Sequence, residues 1–182
     1  FLLASFLYVD AANTVIIFLF LFGRDQIGLS LAQFLPIYVI MSLAAIAGAF
    51  FFGKITDRVG HKKTLLGILI FWIVAIFILR FHLSYITFMF AGILGGVLLG
   101  GLWTVTRPML VELAPKEKIA ELFGYQGLTE KFGGIGGPVI FGFLATRYGF
   151  QTALLSLIVL FVLGAIALYF VKTKQKPLNI LS

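Results

Sequence analysis

The chain has no cysteine and little charge: its 182 residues include 7 acids, 14 lysines and arginines, and 2 histidines. Without cysteine, neither a disulfide nor a thiolate metal site can form. The side-chain sets of an intramembrane enzyme are missing as well. There is no thiol nucleophile, His61 and His82 fall in opposite loops, and neither paired carboxylates nor metal-ligand spacing occurs. The expectation is therefore a protein that is not an enzyme and uses no cofactor or metal. Charged residues make up 12% of the chain, against roughly 25% in an ordinary soluble domain. Apolar residues take their place at 61%, with 21 phenylalanines among them. A soluble core of this size could not hide so much apolar surface, whereas a lipid bilayer removes the need to hide it. There is no initiating methionine: Phe1 stands directly at the head of an apolar run. The sequence reads as a piece of something longer, with any targeting segment or N-terminal part missing.

A membrane-spanning helix needs about 20 mainly apolar residues. Six such stretches are present, at residues 1–22, 34–52, 65–79, 85–106, 122–146 and 152–171, joined by brief connections. The whole chain, 1–182, reads as one six-helix transmembrane bundle. Lysine and arginine counts in alternate connections orient it. Ten fall on one side (Lys54, Arg58, Lys62, Lys63, Arg107, Lys116, Lys118, Lys172, Lys174 and Lys176) and three on the other (Arg24, Arg80 and Arg147). The rich side is cytoplasmic, so both ends of the piece are inside, in the cell (inner) membrane if the source is bacterial. The basic balance is thus a topology signal and calls for no nucleic acid. The third and sixth stretches are almost purely apolar and suit the lipid-facing periphery, while the first and fifth carry ionisable residues. That alternation reads as three helices repeated, the inverted arrangement of many secondary transporters.

Asp10, in "FLYVDAANTVIIF", places a carboxylate in mid-span, at a cost of roughly 2.5–3.5 kcal/mol on insertion scales. Asn13 and Thr14 follow at i+3 and i+4 and share its face. A carboxylate removed from water favours its protonated form, so such a residue can exchange a proton at ordinary pH. It serves either as a proton or substrate-amine site or as a structural acid pairing with a neighbouring helix. Lys131 lies at the same depth, about 13 Å from the inner face at 1.5 Å per residue, and is the expected partner. Glu130 beside it shares a face with Gln126, and the Glu–Lys pair is either a coupling site or an internal compensation that lets the helix insert. No metal site is expected.

Small-residue ridges mark helix contacts. Gly92, Gly96 and Gly100 form one in the fourth span, and Ala45, Ala49 and Gly53 form another in the second. "GGIGGPVIFG" adds Pro138 after Gly137, which predicts a bend in the fifth span. Between the second and third spans stands "GKITDRVGHKK". There Gly53 ends the ridge, Asp57 is placed to meet a helix N-terminus, and Arg58 is placed to pair with Glu112, which follows Arg107 after the fourth span. Gly60 allows a tight turn, and Lys62 and Lys63 reach headgroups. If these contacts form in one conformation only, the loop is a latch between two states.

This loop, G-x-x-x-D-R-x-G followed by basic residues, resembles the inter-helix loop motif of the major facilitator superfamily, and "GGIGGPVIFG" resembles that superfamily's Gly-Pro helix motif. "FLYVDAANT" and "RPMLVELAPKEKIAELFGYQGLTEKFGGIGGPVIFG" look like the second half of the vacuole effluxer-like permeases, the autophagy-related amino-acid exporters and their bacterial relatives. The resemblance covers essentially the whole chain. It implies an all-α membrane fold in which six helices form one half, a 3+3 inverted repeat, with spans one, two, four and five lining a cavity. Two departures stand out. His61 occupies a position where the motif usually has Arg or Lys, which makes a charge there pH-dependent. Six spans are present where the superfamily normally has twelve. The expected function is a secondary transporter of small solutes, in line with amino acids, proton-coupled and working by alternating access. The alternative is a non-transporting sensor or scaffold on the same fold. Expected partners are the bilayer, a small-molecule substrate, and the missing N-terminal half or a second copy.

Overall fold

A computed structural model describes residues 1–173. Lys174 and Lys176, two of the lysines used for orientation, lie outside the described residues. Among the described residues the regular structure is helical: α1 (Leu2–Phe22), α2 (Leu31–Val59), α3 (His61–Phe81), α4 (Tyr85–Leu113), α5 (Ile119–Phe132), α6 (Gly136–Tyr148) and α7 (Phe150–Tyr169). Five of these are long and apolar enough to cross a membrane; α5 and α6 are shorter and follow one another after a three-residue break. The starts of α2 and α4 are written locally. Ser30 and Gln33 form a reciprocal capping box at α2, and the Ser84 hydroxyl accepts the Thr87 N–H at 3.1 Å.

The 3+3 inverted repeat is visible in which helix packs on which. Exchanging the first three spans for the last three turns the α3–α4 contact into α7–α1. The α2–α4 contact becomes the contact of α1 with α5 and α6, and α2–α3 becomes α6–α7. The α3–α7 contact maps onto itself and is clipped at both ends. Lys62, at the start of α3, donates to the Tyr169 and Val171 carbonyls at the end of α7, both at 2.7 Å. Arg80, at the end of α3, donates to the Gln151 carbonyl at the start of α7. Single glycines make the matching corners: Gly60 (φ 90°) joins α2 to α3 and Gly149 (φ 85°) joins α6 to α7. Both corners read Arg-x-Gly, as "RVG" and "RYG", a trace of the repeat legible in the sequence once the corners are matched.

Three local readings are corrected. The charged stretch 54–59 is not a loop but the last turns of α2, which runs on to Val59, and only Gly60 is non-helical. Lys, Arg and Asp do not break a helix outside the hydrocarbon, so polarity marks the membrane boundary and not the helix end. In the same way α4 carries Arg107 and Glu112 within the helix. Finally, the fifth span is interrupted at residues 133–135, upstream of Pro138. Pro138 is the third residue of α6, a first-turn position where its missing N–H leaves no helical bond unmade.

The α2–α4 seam is the tightest in the bundle. A Cβ on Gly96 would lie 2.3 Å from the Met41 carbonyl oxygen, one on Gly100 1.9 Å from that of Ala45, and one on Gly48 2.1 Å from that of Val97. Backbone thus packs on backbone, which only small residues permit. Gly92 faces the end of the Met41 side chain instead, and Gly53 meets nothing closer than Thr104 Cγ2 at 3.9 Å. The ridge on α2 therefore runs through Ala45, Gly48 and Ala49 and does not extend to Gly53.

Candidate functional site

Asp10 is buried, 3% exposed, on the face of α1 that meets the break in the fifth span. One carboxylate oxygen, Oδ2, accepts the Gly137 N–H at 2.6 Å; the other, Oδ1, is buried with no hydrogen-bond partner. The Gly137 N–H is one of the free donors at the start of α6, where the helix dipole favours negative charge. Glycine is required there for space. A Cβ on Gly137 would sit 2.3 Å from Thr14 Oγ1 and 2.9 Å from Asp10 Oδ1, and one on Gly136 3.2 Å from Asp10 Oδ2. Thr14 donates its hydroxyl to the Asp10 carbonyl at 2.7 Å, and the Asn13 amide lies beside Gly134. The face Asp10, Asn13 and Thr14 therefore meets residues 134–137 as a unit.

Lys131 does not join it. The residue is exposed in the last turn of α5, and among the described residues the ion pairs are Arg24–Asp25 and His61–Glu112. Depth alone points to Lys131. Because α5 ends at Phe132, what reaches Asp10 is a helix N-terminus rather than a side chain. Glu130 accepts from Gln126 Nε2 at 3.1 Å; Gln126 is buried, and its Oε1 has no partner.

Sequence reasoning missed two features beside this junction. Tyr8 is wholly buried and its hydroxyl lies 3.2 Å from Thr106 Oγ1 on α4. Thr106 spends its own proton on the Leu102 carbonyl at 2.7 Å, so Tyr8 is the donor. Near this contact lies an apolar crevice of about 270 Å³, lined mainly by α1, α2, α3 and α4. Thr14, Phe18, Tyr38, Ser42, Gly92 and Trp72 of α3 are among the residues that line it. The sequence places α3 at the periphery, and its outer face of Ile70, Phe71, Val74 and Phe77 is indeed exposed. Trp72 points the other way: it is buried and stacked on Phe161 at 5.3 Å. A lone tryptophan in an otherwise apolar span is the one signal that could have found it.

At the α2–α3 corner the pairing differs from expectation. Asp57 and Arg58 are exposed and form no ion pair among the described residues. Glu112 is held by His61 instead, Nδ1 to Oε2 at 2.7 Å. With α2 helical to Val59, Arg58 stays exposed, and the turn at Gly60 brings His61 to Glu112 of α4. Lys62 holds the end of α7 as described, while Lys63 and Arg107 are exposed.

A sequence profile of the Major Facilitator Superfamily matches residues 1–181. The chain is 32% identical over 173 residues to the uncharacterized MFS-type transporter YxiO of Bacillus subtilis, a match covering 94% of this chain and 40% of that protein. It is 32% identical over 164 residues to autophagy-related protein 22-2 of Aspergillus clavatus, covering 82% and 27%. The chain thus spans less than half the length of these relatives. Among solved structures, the POT family transporter PepTSo superposes with a TM-score of 0.80 at 15% identity, over 96% of this chain and 38% of that one. The proton:xylose symporter XylE does so with a TM-score of 0.76 at 15% identity, over 94% and 43%.

Proposed function

The chain belongs to the Major Facilitator Superfamily, and from that premise we propose that it is the C-terminal half of a secondary transporter that moves small solutes by alternating access, coupled to protons. It is a multi-pass integral membrane protein of transporter type. The observation that carries the finer reading is the seat of Asp10. A buried carboxylate caps a half-helix inside a broken span and keeps one oxygen unpartnered. Irregular backbone at membrane depth, with a half-helix N-terminus aimed at a charge, is how transporter sites are commonly built.

In this mechanism ionised Asp10 holds the start of α6 against α1 through the Gly137 N–H. A proton arriving at the free oxygen cancels the charge that the α6 dipole favours, and the junction between α1 and the fifth span loosens. Asn13 and Thr14 stand at the same junction and would contact solute. Lys131, exposed beside the break, would face the solute or the other half. A carboxylate and an ammonium near one level suit a zwitterion, and the likeness to the autophagy-related exporters favours amino acids. Both ends of the piece would be cytoplasmic, in the inner membrane of a bacterium, with the N-terminal half or a second copy supplying the opposite wall.

The test is flux in proteoliposomes of the intact protein, screened with amino acids, sugars and organic acids under an imposed pH gradient. Flux of one class that follows the gradient, abolished in Asp10→Asn while the protein stays folded, is the expected result. Full flux in Asp10→Asn would remove the role given to Asp10, and no flux of any solute would favour the sensor or scaffold.

A further inference from the structure

The α2–α3 corner hangs on a single glycine. Gly60, with φ 90°, is the only non-helical residue between the two helices, and α2 rests on α4 far more than on α3. α3 itself packs along α4 and α7, with Thr64 and Leu65 buried, and at its exposed first residues side-chain ties add to that packing. Two adjacent residues supply them in different directions: Lys62 grips the end of α7, and His61 grips Glu112 in the last turn of α4. We propose that the His61–Glu112 contact is a cytoplasmic pH sensor, which fastens the α2–α3 corner to α4 when His61 is protonated and slackens it when His61 is neutral.

Helix polarity makes the pair interdependent. His61 opens α3, where the dipole opposes a positive charge, and Glu112 closes α4, where it opposes a negative one. Each is the ion-pair partner of the other across the corner. Imidazole is the side chain whose charge changes between about pH 5 and 8. Once neutral, the ring keeps one N–H, which can still be given to Glu112 from Nδ1, but the contact falls from an ion pair to a single hydrogen bond from an uncharged donor. The neighbouring tie does not weaken in that range, because a lysine ammonium stays charged.

The other charged groups at this end are Lys54, Asp57 and Arg58 on α2, Lys62 and Lys63 on α3, Arg107 on α4, Lys116, Glu117 and Lys118 after it, Glu121 at the start of α5, and Lys172 after α7. Among the described residues, Glu112 alone is within ion-pair distance of His61. Side chains of both partners are about one third exposed, 29% and 31%, so protons from the cytoplasm reach the pair directly. What the switch would move is the end of α2, which presents Asp57 and Arg58 unpaired at the surface. Nothing in this depends on Asp10 or on the solute, so the two can fail separately.

The test uses nitroxide pairs on the full-length protein in lipid nanodiscs, at Val59→Cys and Val111→Cys, both exposed positions. The distance distribution is read by electron paramagnetic resonance from about pH 5.5 to about pH 8.5, the span of imidazole titration. The wild-type protein should pass from a narrow to a broad distribution as pH rises. H61K should stay narrow throughout, and H61Q and E112Q should be broad throughout. A wild-type distribution that ignores pH, or a transition that survives in H61Q, overturns the proposal.

Discussion

The α2–α4 seam and the junction of α1 with α5 and α6 occupy equivalent places in the two repeats, yet they are built from opposite chemistry. In the seam, glycines on both helices bring backbone against backbone, with carbonyl oxygens where a Cβ would be. In the junction, Gly136 and Gly137 make room for a carboxylate and a hydroxyl. The glycine stretch of the seam, residues 41–53 against 92–104, contains no titratable side chain, so a change of pH gives it no charge to lose. The junction adds to its packing one carboxylate on one N–H across a broken helix, the contact that a proton would weaken under the proposed mechanism. The same glycine-rich contact faces backbone in one repeat and a carboxylate and a hydroxyl in the other.

The comparison breaks most visibly at Gly100. Its substitution by alanine puts a Cβ against the Ala45 backbone, which cannot rotate away, and should cost on the order of 3 kcal/mol. Thermal unfolding in detergent should show it, and a melting point equal to the wild type would mean the seam is looser than described. Gly137→Ala should cost less, about 1–2 kcal/mol, because its obstacles are side-chain ends that can turn. Combining it with Thr14→Ala should recover part of the loss, and strict additivity in that double-mutant cycle would uncouple the two positions. Gly53→Ala is the smallest change: with open space around it in mid-helix, it should be neutral or stabilise by up to about 1 kcal/mol. A drop in melting temperature would reveal a close contact at Gly53.

Much of this contrast is legible in the sequence. The ridge of Gly92, Gly96 and Gly100 points to a close helix contact, and the i, i+3, i+4 spacing sets Asp10, Asn13 and Thr14 on one face. Their counterparts are not legible there. Lys131 and the Gly137 N–H both lie near the level of Asp10, and only the end of α5 at Phe132 decides between them. Arg58 and His61 are both within sequence reach of Glu112. The choice turns on α2 remaining helical to Val59, which a charge-rich stretch does not announce.

The sequence by itself determined the class, the orientation signal and the residues that cannot be idle in a bilayer, because hydropathy and charge act locally and a mid-span carboxylate is costly wherever it faces. Tertiary structure alone decided what that carboxylate meets, where the fifth span breaks and which basic residue holds Glu112. Those outcomes depend on the rotation of each helix about its axis and on where helices end, and both are settled by packing between residues far apart in the chain.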